Sequence, residues 1–249
     1  MLITNYELKK IFIFFVPFLL TACTPDESQF KSDVPVSKPA FEERVAVTES
    51  ESERDAESAL APLPDSINLD VPFFPQAPDA DWGLPWQEAC EEASLTLAYH
   101  YFAEEPLTKE QFKNDIFGLV DWQKEHFGDY LHSTVDQTAE MLEGYFGFTD
   151  YRILKNPTVE NLKAELAAGH IIVAPFAGRM LGNPFYSGEG PYYHNMVIKG
   201  YDQKNFITND VGTKRGLNFI YPYQTLLNAL HDYHETSIQT APEKVIILE

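Results

Sequence analysis

The sequence predicts an α+β fold in which a helix packs on an antiparallel sheet. Two observations carry this: helical signals crowd the stretch up to residue 168, and strand signals follow Gly169 in close succession with short connections. The segment 69–76, with Pro72 and Pro75, suits an extended or edge strand because proline cannot donate to a ladder. Residues 89–102 lack Gly and Pro and place Cys90, Ala93, Leu97 and Tyr101 on one helical face, with Pro85 just upstream and Cys90 in the first turn. Further helices are expected over 108–116, 134–146 and 158–168, the last two opening on Thr with Glu or Gln later in the turn. Strands are expected over 171–176, 195–201, 206–209, 218–221 and 244–248. Between Gly178 and Pro191 lie several glycines and prolines, which predict a mobile loop ending beside Tyr192, Tyr193 and His194.

The chain divides into three parts. Lys9 and Lys10 precede an apolar run, Ile11 to Leu20, too short for a bilayer span of about 20 residues, which ends in Leu20-Thr21-Ala22-Cys23. Residues 1–22 therefore read as a cleavable export signal. Residues 24–66 hold 11 acidic and 4 basic residues with many Ser and Pro, and with Cys23 they form an expected disordered acidic tether whose job is reach. From Ile67 to Glu249 aromatic and aliphatic residues are dense enough for one folded domain. That domain carries 26 acidic against 12 basic side chains, a field that repels phosphate backbones and argues against nucleic acid as a partner.

The chain holds 2 cysteines. With Cys23 set aside, Cys90 is a lone thiol in an expected oxidising compartment, which invites a chemical role. A helix N-terminus favours a thiolate, although from position alone a buried structural cysteine fits equally well. Downstream, His194 opens one strand and Asp210 closes the next. If the turn is the three-residue loop Asp202-Gln203-Lys204, opposed residue numbers sum to 406 and Asp210 opposes Met196. His194, Met196, Ile198, Phe206, Thr208 and Asp210 then share a face, while Asn195, Val197, Lys199, Ile207 and Asn209 take the other. A shorter loop would present Asn209 to His194 instead.

Four strings stand in order: Val71-Pro72-Phe73-Phe74-Pro75-Gln76; Trp86 through Cys90 with Ala93-Ser94; Tyr193 to Asp202; and Ile207-Thr208-Asn209-Asp210. Together they resemble the bacteriocin-processing-peptidase-like branch of the papain superfamily. That resemblance implies a papain-like α+β fold, with Cys90 as nucleophile, His194 as base, Asp210 as its orienter and Gln76 as oxyanion donor. Gln87, three residues before Cys90, is the rival donor. The family places Gly after the cysteine, where this chain has Glu91.

Glu91 and Glu92, at i+1 and i+2, are expected to face away from Cys90. An exposed carboxylate about 8 Å away would cost a thiolate about 0.5 kcal/mol, against about 4 kcal/mol gained from an imidazolium at about 4 Å, so a lowered thiol pKa is expected. Trp82, Trp86, Tyr192 and Tyr193 could wall a cleft or simply pack the core. His231, His234 and Glu235 share helical spacing but lack a fourth ligand, so no metal is expected, and no organic cofactor is implied.

The Leu-Thr-Ala-Cys string is also similar to the lipobox of bacterial lipoproteins, which implies a lipidated Cys23 anchoring an extracytoplasmic domain to the cell envelope. The expected activity is hydrolysis of peptide or isopeptide bonds through a Cys90 thioester, with a peptide or protein substrate. Two alternatives stay open: a catalytically silent papain-like module that binds peptides or cell wall, and an acyl or amide transferase using the same triad.

Overall fold

The structure, a computed structural model, describes residues 25–37, 62–103 and 106–249. The expected signal segment, Cys23 and residues 38–61 of the expected tether lie outside the described residues. One antiparallel sheet of 7 strands organises the domain, and its strands run β2-β7-β3-β4-β5-β6 with β1 paired to β4 beside that path. In chain order these are β1 (Ile67–Asn68), β2 (Tyr151–Lys155), β3 (Ile171–Ala177), β4 (Tyr193–Tyr201), β5 (Asn205–Asn209), β6 (Phe219–Pro222) and β7 (Lys244–Leu248). The helices are α1 (Cys90–Phe102), α2 (Lys109–His126), α3 (Val135–Phe146), α4 (Val159–Ala167) and α5 (Tyr223–Ala229).

Local chemistry sets the helix starts. Thr108, Thr134 and Thr158 each accept a hydrogen bond from the backbone N–H three residues on, and the last two complete reciprocal capping boxes with Gln137 and Asn161. Gly147 closes α3 at φ 67°, a left-handed position that glycine adopts without strain. The sheet's centre is covered on both faces: every residue of β3 and β4 is buried, His194, Asn195 and Lys199 included. Such strands carry no clean alternation to read.

Helix α1 packs against α2 and α3 and against β4 and β3. It is buried all round, since Glu91, Glu92, Ser94 and Thr96 are sequestered along with Ala93, Leu95 and Leu97. The apolar stripe expected for it does not describe it, because a helix enclosed by a sheet and two helices has no solvent face to keep polar. Strand β2 and helix α5 were not among the expected elements; β2 pairs with β7 along its whole length, so tertiary pairing makes it a strand.

The turn between β4 and β5 differs from the expected three-residue loop. Tyr201 pairs with Phe206, so opposed numbers sum to 407 there, because Asp202 caps the N–H groups of Lys204 and Asn205 and widens the turn by one residue. A β-bulge at Lys199 then absorbs one residue of β4, and from Ile198↔Thr208 and Val197↔Asn209 the sum is 406. Two deviations cancel, and the pairing that places Asp210 on the His194 face is the one expected. Their trace is Tyr201, which moves onto that face opposite Phe206. Gly200 follows the bulge where β1 crosses: a Cβ there would lie 2.2 Å from the Ile67 carbonyl oxygen.

Residues 25–37 correct the picture of a tether disordered throughout. Phe30 stacks on Phe219 at 5.5 Å and meets Phe185 edge-on at 5.7 Å. Lys31 donates to the carbonyls of Arg215 and Leu217, Arg215 pairs with Glu27 at 3.0 Å, and Asn68 donates to the Val34 carbonyl. Phe30, the one aromatic residue of 25–37, finds an aromatic cluster formed by Phe219 of β6 and Phe185, which supplies the apolar burial the composition of this segment does not advertise.

Candidate active site

A short 3-10 turn, Trp86–Glu88, delivers the chain through Ala89 to Cys90, the first residue of α1. Cys90 borders a cleft of about 720 Å³ that is also lined by Gln76, His194, Trp82, Tyr192 and Lys214. Tyr193 lines it too, whereas Trp86 is buried against Phe117. The four motifs thus converge: residue 76 and residue 90 on one side, and the β4–β5 ends on the other.

His194 sits in β4 with 2 % of its surface exposed. Its Nε2 lies 2.8 Å from Asp210 Oδ1, just beyond the end of β5. Asp210 is fully buried and its carboxylate accepts from every side: Asn183 Nδ2 at 2.9 Å, the hydroxyls of Tyr186 at 2.7 Å and Tyr221 at 2.6 Å, and the N–H of Gly212 at 3.0 Å. Burial pushes its pKa up, but the His194 charge and the hydrogen bonds from His194, Tyr221 and Tyr186 outweigh it and hold the carboxyl below its usual value. A carboxylate fixed this way orients the imidazole and leaves Nδ1 for chemistry. Gly212 is needed at this point, since a Cβ would lie 2.9 Å from the imidazole Cε1.

The Asp210 cage also corrects the expectation of a mobile loop over 178–191. Asn183 and Tyr186 belong to that loop, and their bonds to a buried carboxylate pin it. Asn183 and Tyr186 had no signal in the sequence, whereas Tyr221 lay in an expected strand and could have been reached by extending the β5–β6 register that pairs it with Phe206. Asn209 points the other way and donates to the carbonyls of Val71 and Pro72, steadying the segment that carries Gln76.

The surroundings of Cys90 overturn a second expectation. Glu91 does not face away: it is 3 % exposed, and the Cys90 thiol donates to its Oε2 at 2.9 Å. Glu92 is 1 % exposed and accepts from Gln123. A fully enclosed helix leaves both carboxylates nowhere to reach water. Burial, then the Glu91 charge and its hydrogen bond, raise the Cys90 pKa well above that of an ordinary thiol, against a weaker opposing pull from the Asn195 backbone N–H. Burial likewise lifts Glu91 to about 7, although the Cys90 hydrogen bond and the His194 charge resist, and it lifts Glu92 further, helped by the Glu91 charge. The expected lowered thiol pKa is therefore reversed. Among the described residues, the hydrogen-bond partner of the thiol is Glu91 rather than His194.

Gln76 is buried in the cleft with its amide nitrogen donating to the carbonyls of Trp86 at 2.8 Å and Gln87 at 3.1 Å. Gln87 Nε2 instead meets Glu88 at 3.1 Å on the exposed side. The helical spacing suggested for His231, His234 and Glu235 does not exist, because α5 ends at Ala229. Elsewhere Glu165, His170 and Glu249 come close enough to suit a cation, but Arg152 already bridges both carboxylates.

Comparison with known proteins places these observations in a family. The model of the Peptidase C39-like family matches residues 68–240, a span that takes in all four motifs. No curated protein matches the chain. Twelve solved chains are similar, among them one from Bacillus anthracis described as a C39-like peptidase; it is 17 % identical with a TM-score of 0.49, over 72 % of this chain and 95 % of that one.

Proposed function

The chain belongs to the Peptidase C39-like family, and on that premise we propose that it hydrolyses peptide or isopeptide bonds through a thioester on Cys90. The observation that carries this reading is the buried His194–Asp210 pair opening on the same cleft as the thiol at the head of α1. As Cys90 Sγ attacks the carbonyl carbon the S–H proton passes to His194, the base, which gives it to the departing amine as the C–N bond breaks. His194 then takes a proton from the water that attacks the thioester and returns it to sulfur as the C–S bond breaks and the acid leaves. Asp210 holds the imidazole's tautomer throughout. Gln76 is the proposed oxyanion donor, turning one amide N–H from the Trp86 or Gln87 carbonyl toward the developing charge; Gln87 is the second candidate.

Labelling by an electrophilic thiol probe together with hydrolysis of a peptide library tests the proposal. Turnover that vanishes in Cys90→Ala and falls in His194→Ala supports it, and probe labelling without any turnover sinks it. One observation favours a second reading, a silent peptide-binding module: the thiol is bonded to a carboxylate that disfavours thiolate. Tight peptide binding without turnover would select that reading.

The proposal extends to location. The Leu20-Thr21-Ala22-Cys23 string supports lipidation of Cys23 and an extracytoplasmic, membrane-anchored domain. Cys23→Ser should release the protein from the membrane fraction; unchanged membrane association and an unmodified Cys23 in mass spectra would defeat it.

A further inference from the structure

Glu91 has no part in the steps above, yet it is the group that touches the sulfur. We infer that Glu91, through Oε2, is the base that takes the thiol proton of Cys90 as the sulfur attacks, leaving His194 free to serve as proton donor to the leaving amine. The inference rests on the thiol-peptidase reading and adds a residue to it, at the position where the family usually carries Gly.

Three observations converge. The thiol donates to Glu91 Oε2 at 2.9 Å, so the proton already points at the acceptor. The other oxygen, Oε1, is buried without a hydrogen-bond partner, so among the described residues the one side-chain hydrogen bond of this carboxyl is to the reacting sulfur. Besides the thiol and His194, the backbone N–H groups of Glu91 itself and of Ser133 favour its charge, which keeps the carboxyl able to ionise despite its burial. Its electrostatic neighbours are also suited to shuttling. Cys90 and Glu92 face it from α1, His194 and Tyr193 from β4, and Tyr233 from beyond β4; the His194 charge favours the charged form of Glu91.

In acylation the S–H bond breaks and an O–H bond forms on Glu91 while sulfur bonds the carbonyl carbon and its π electrons move to oxygen. Collapse breaks the C–N bond, and the amine nitrogen takes a proton from the His194 imidazolium. In deacylation water bonds the thioester carbon and gives a proton to neutral His194. The C–S bond breaks and the sulfur recovers its proton from Glu91.

The test is the rate at which a small alkylating agent modifies Cys90, read against pH in wild type, Glu91→Gln and Glu91→Asp. Alkylation needs no peptide substrate, so it reports on Glu91 even if turnover is never found. Wild type should show a limb near pH 7, where Glu91 ionises, well below the rise that belongs to the thiol itself. Glu91→Gln should lose that limb and react at least about ten-fold more slowly at pH 7.5, within the 10²–10⁴-fold typical of general-base assistance. Glu91→Asp should keep the limb with part of the rate. A Glu91→Gln protein that reacts as fast as wild type or faster, or that retains the limb, overturns the inference and makes Glu91 a brake on the thiol.

Discussion

Asp210 Oδ1 lies 2.8 Å from His194 Nε2 across two strands whose turn and bulge each shift the register by one residue in opposite senses. Had only the bulge occurred, Asn209 would stand where Asp210 does, and had only the wider turn occurred, Val211 would; in neither case would Asp210 share the imidazole's face. Asp210 is thereby tied to the bulge at Lys199, eleven positions earlier in the chain.

Asp210→Ala should lower turnover by about 10²-fold or more through loss of the base's orientation. Asn209→Ala should cost much less activity, and its effect should appear as weaker stability, because its bonds go to the Val71 and Pro72 carbonyls. Steady-state kinetics beside thermal melts of the two variants separate the cases; a larger activity loss from Asn209→Ala would reverse the assignment.

Tyr221→Phe should raise the pKa of Asp210 by removing a 2.6 Å donor. The folded carboxyl is held below its unfolded value, so its contribution to stability is present above the unfolded pKa and lost as pH falls through the folded one. The variant should therefore unfold at a higher pH than wild type during acid titration, with about 1 kcal/mol less stability near neutrality. Coincident acid transitions would count against the cage.

Glu91→Gln should stabilise the fold. Glu91 is raised from 4.5 to about 7, so the unfolded state is the stronger acid and wild-type stability falls as pH rises from 4.5 to 7. The variant should gain about 3 kcal/mol above pH 7 and nothing below pH 4.5. Urea unfolding at pH 4 and pH 8 measures both ends, and an equal gap at the two would refute the burial argument.

Lys199→Met should do the same from the other side of the titration scale. Burial lowers the Lys199 pKa from 10.5 to about 8, against a pull from Asp70, so the folded state gives up its proton first and wild-type stability climbs as pH rises from 8 to 10.5. At pH 7 the variant should be more stable by about 2 kcal/mol, the roughly 3 kcal/mol of burial less the lost hydrogen bond to Asn218. The difference should close by pH 10.5; a constant gap in chemical denaturation would show that charge is not its origin.

What could be read in the sequence was local. Thr caps announced α2, α3 and α4, and the four short motifs announced which chain segments meet, because capping and turn chemistry act within a few residues. The side chains that surround those motifs were not legible. Glu91 looked solvated because helical spacing turns i+1 away from i, yet α1 is enclosed and its glutamate folds back on its own neighbour. Tyr186 and Asn183 sit in a Gly-rich stretch that reads as slack, and only the buried charge of Asp210 makes it taut. Strand β2 exists because β7 offers it an edge, a relation between residues almost a hundred positions apart.

The docking of residues 25–37 on β6 changes what a single cut means. A protease that severs the chain anywhere between residues 38 and 61 would leave two polypeptides still joined by Phe30, Lys31 and the Glu27–Arg215 pair. Shedding of the domain then becomes a dissociation, slowed by every contact along that seam and governed by the concentration of the free pieces rather than by cleavage alone.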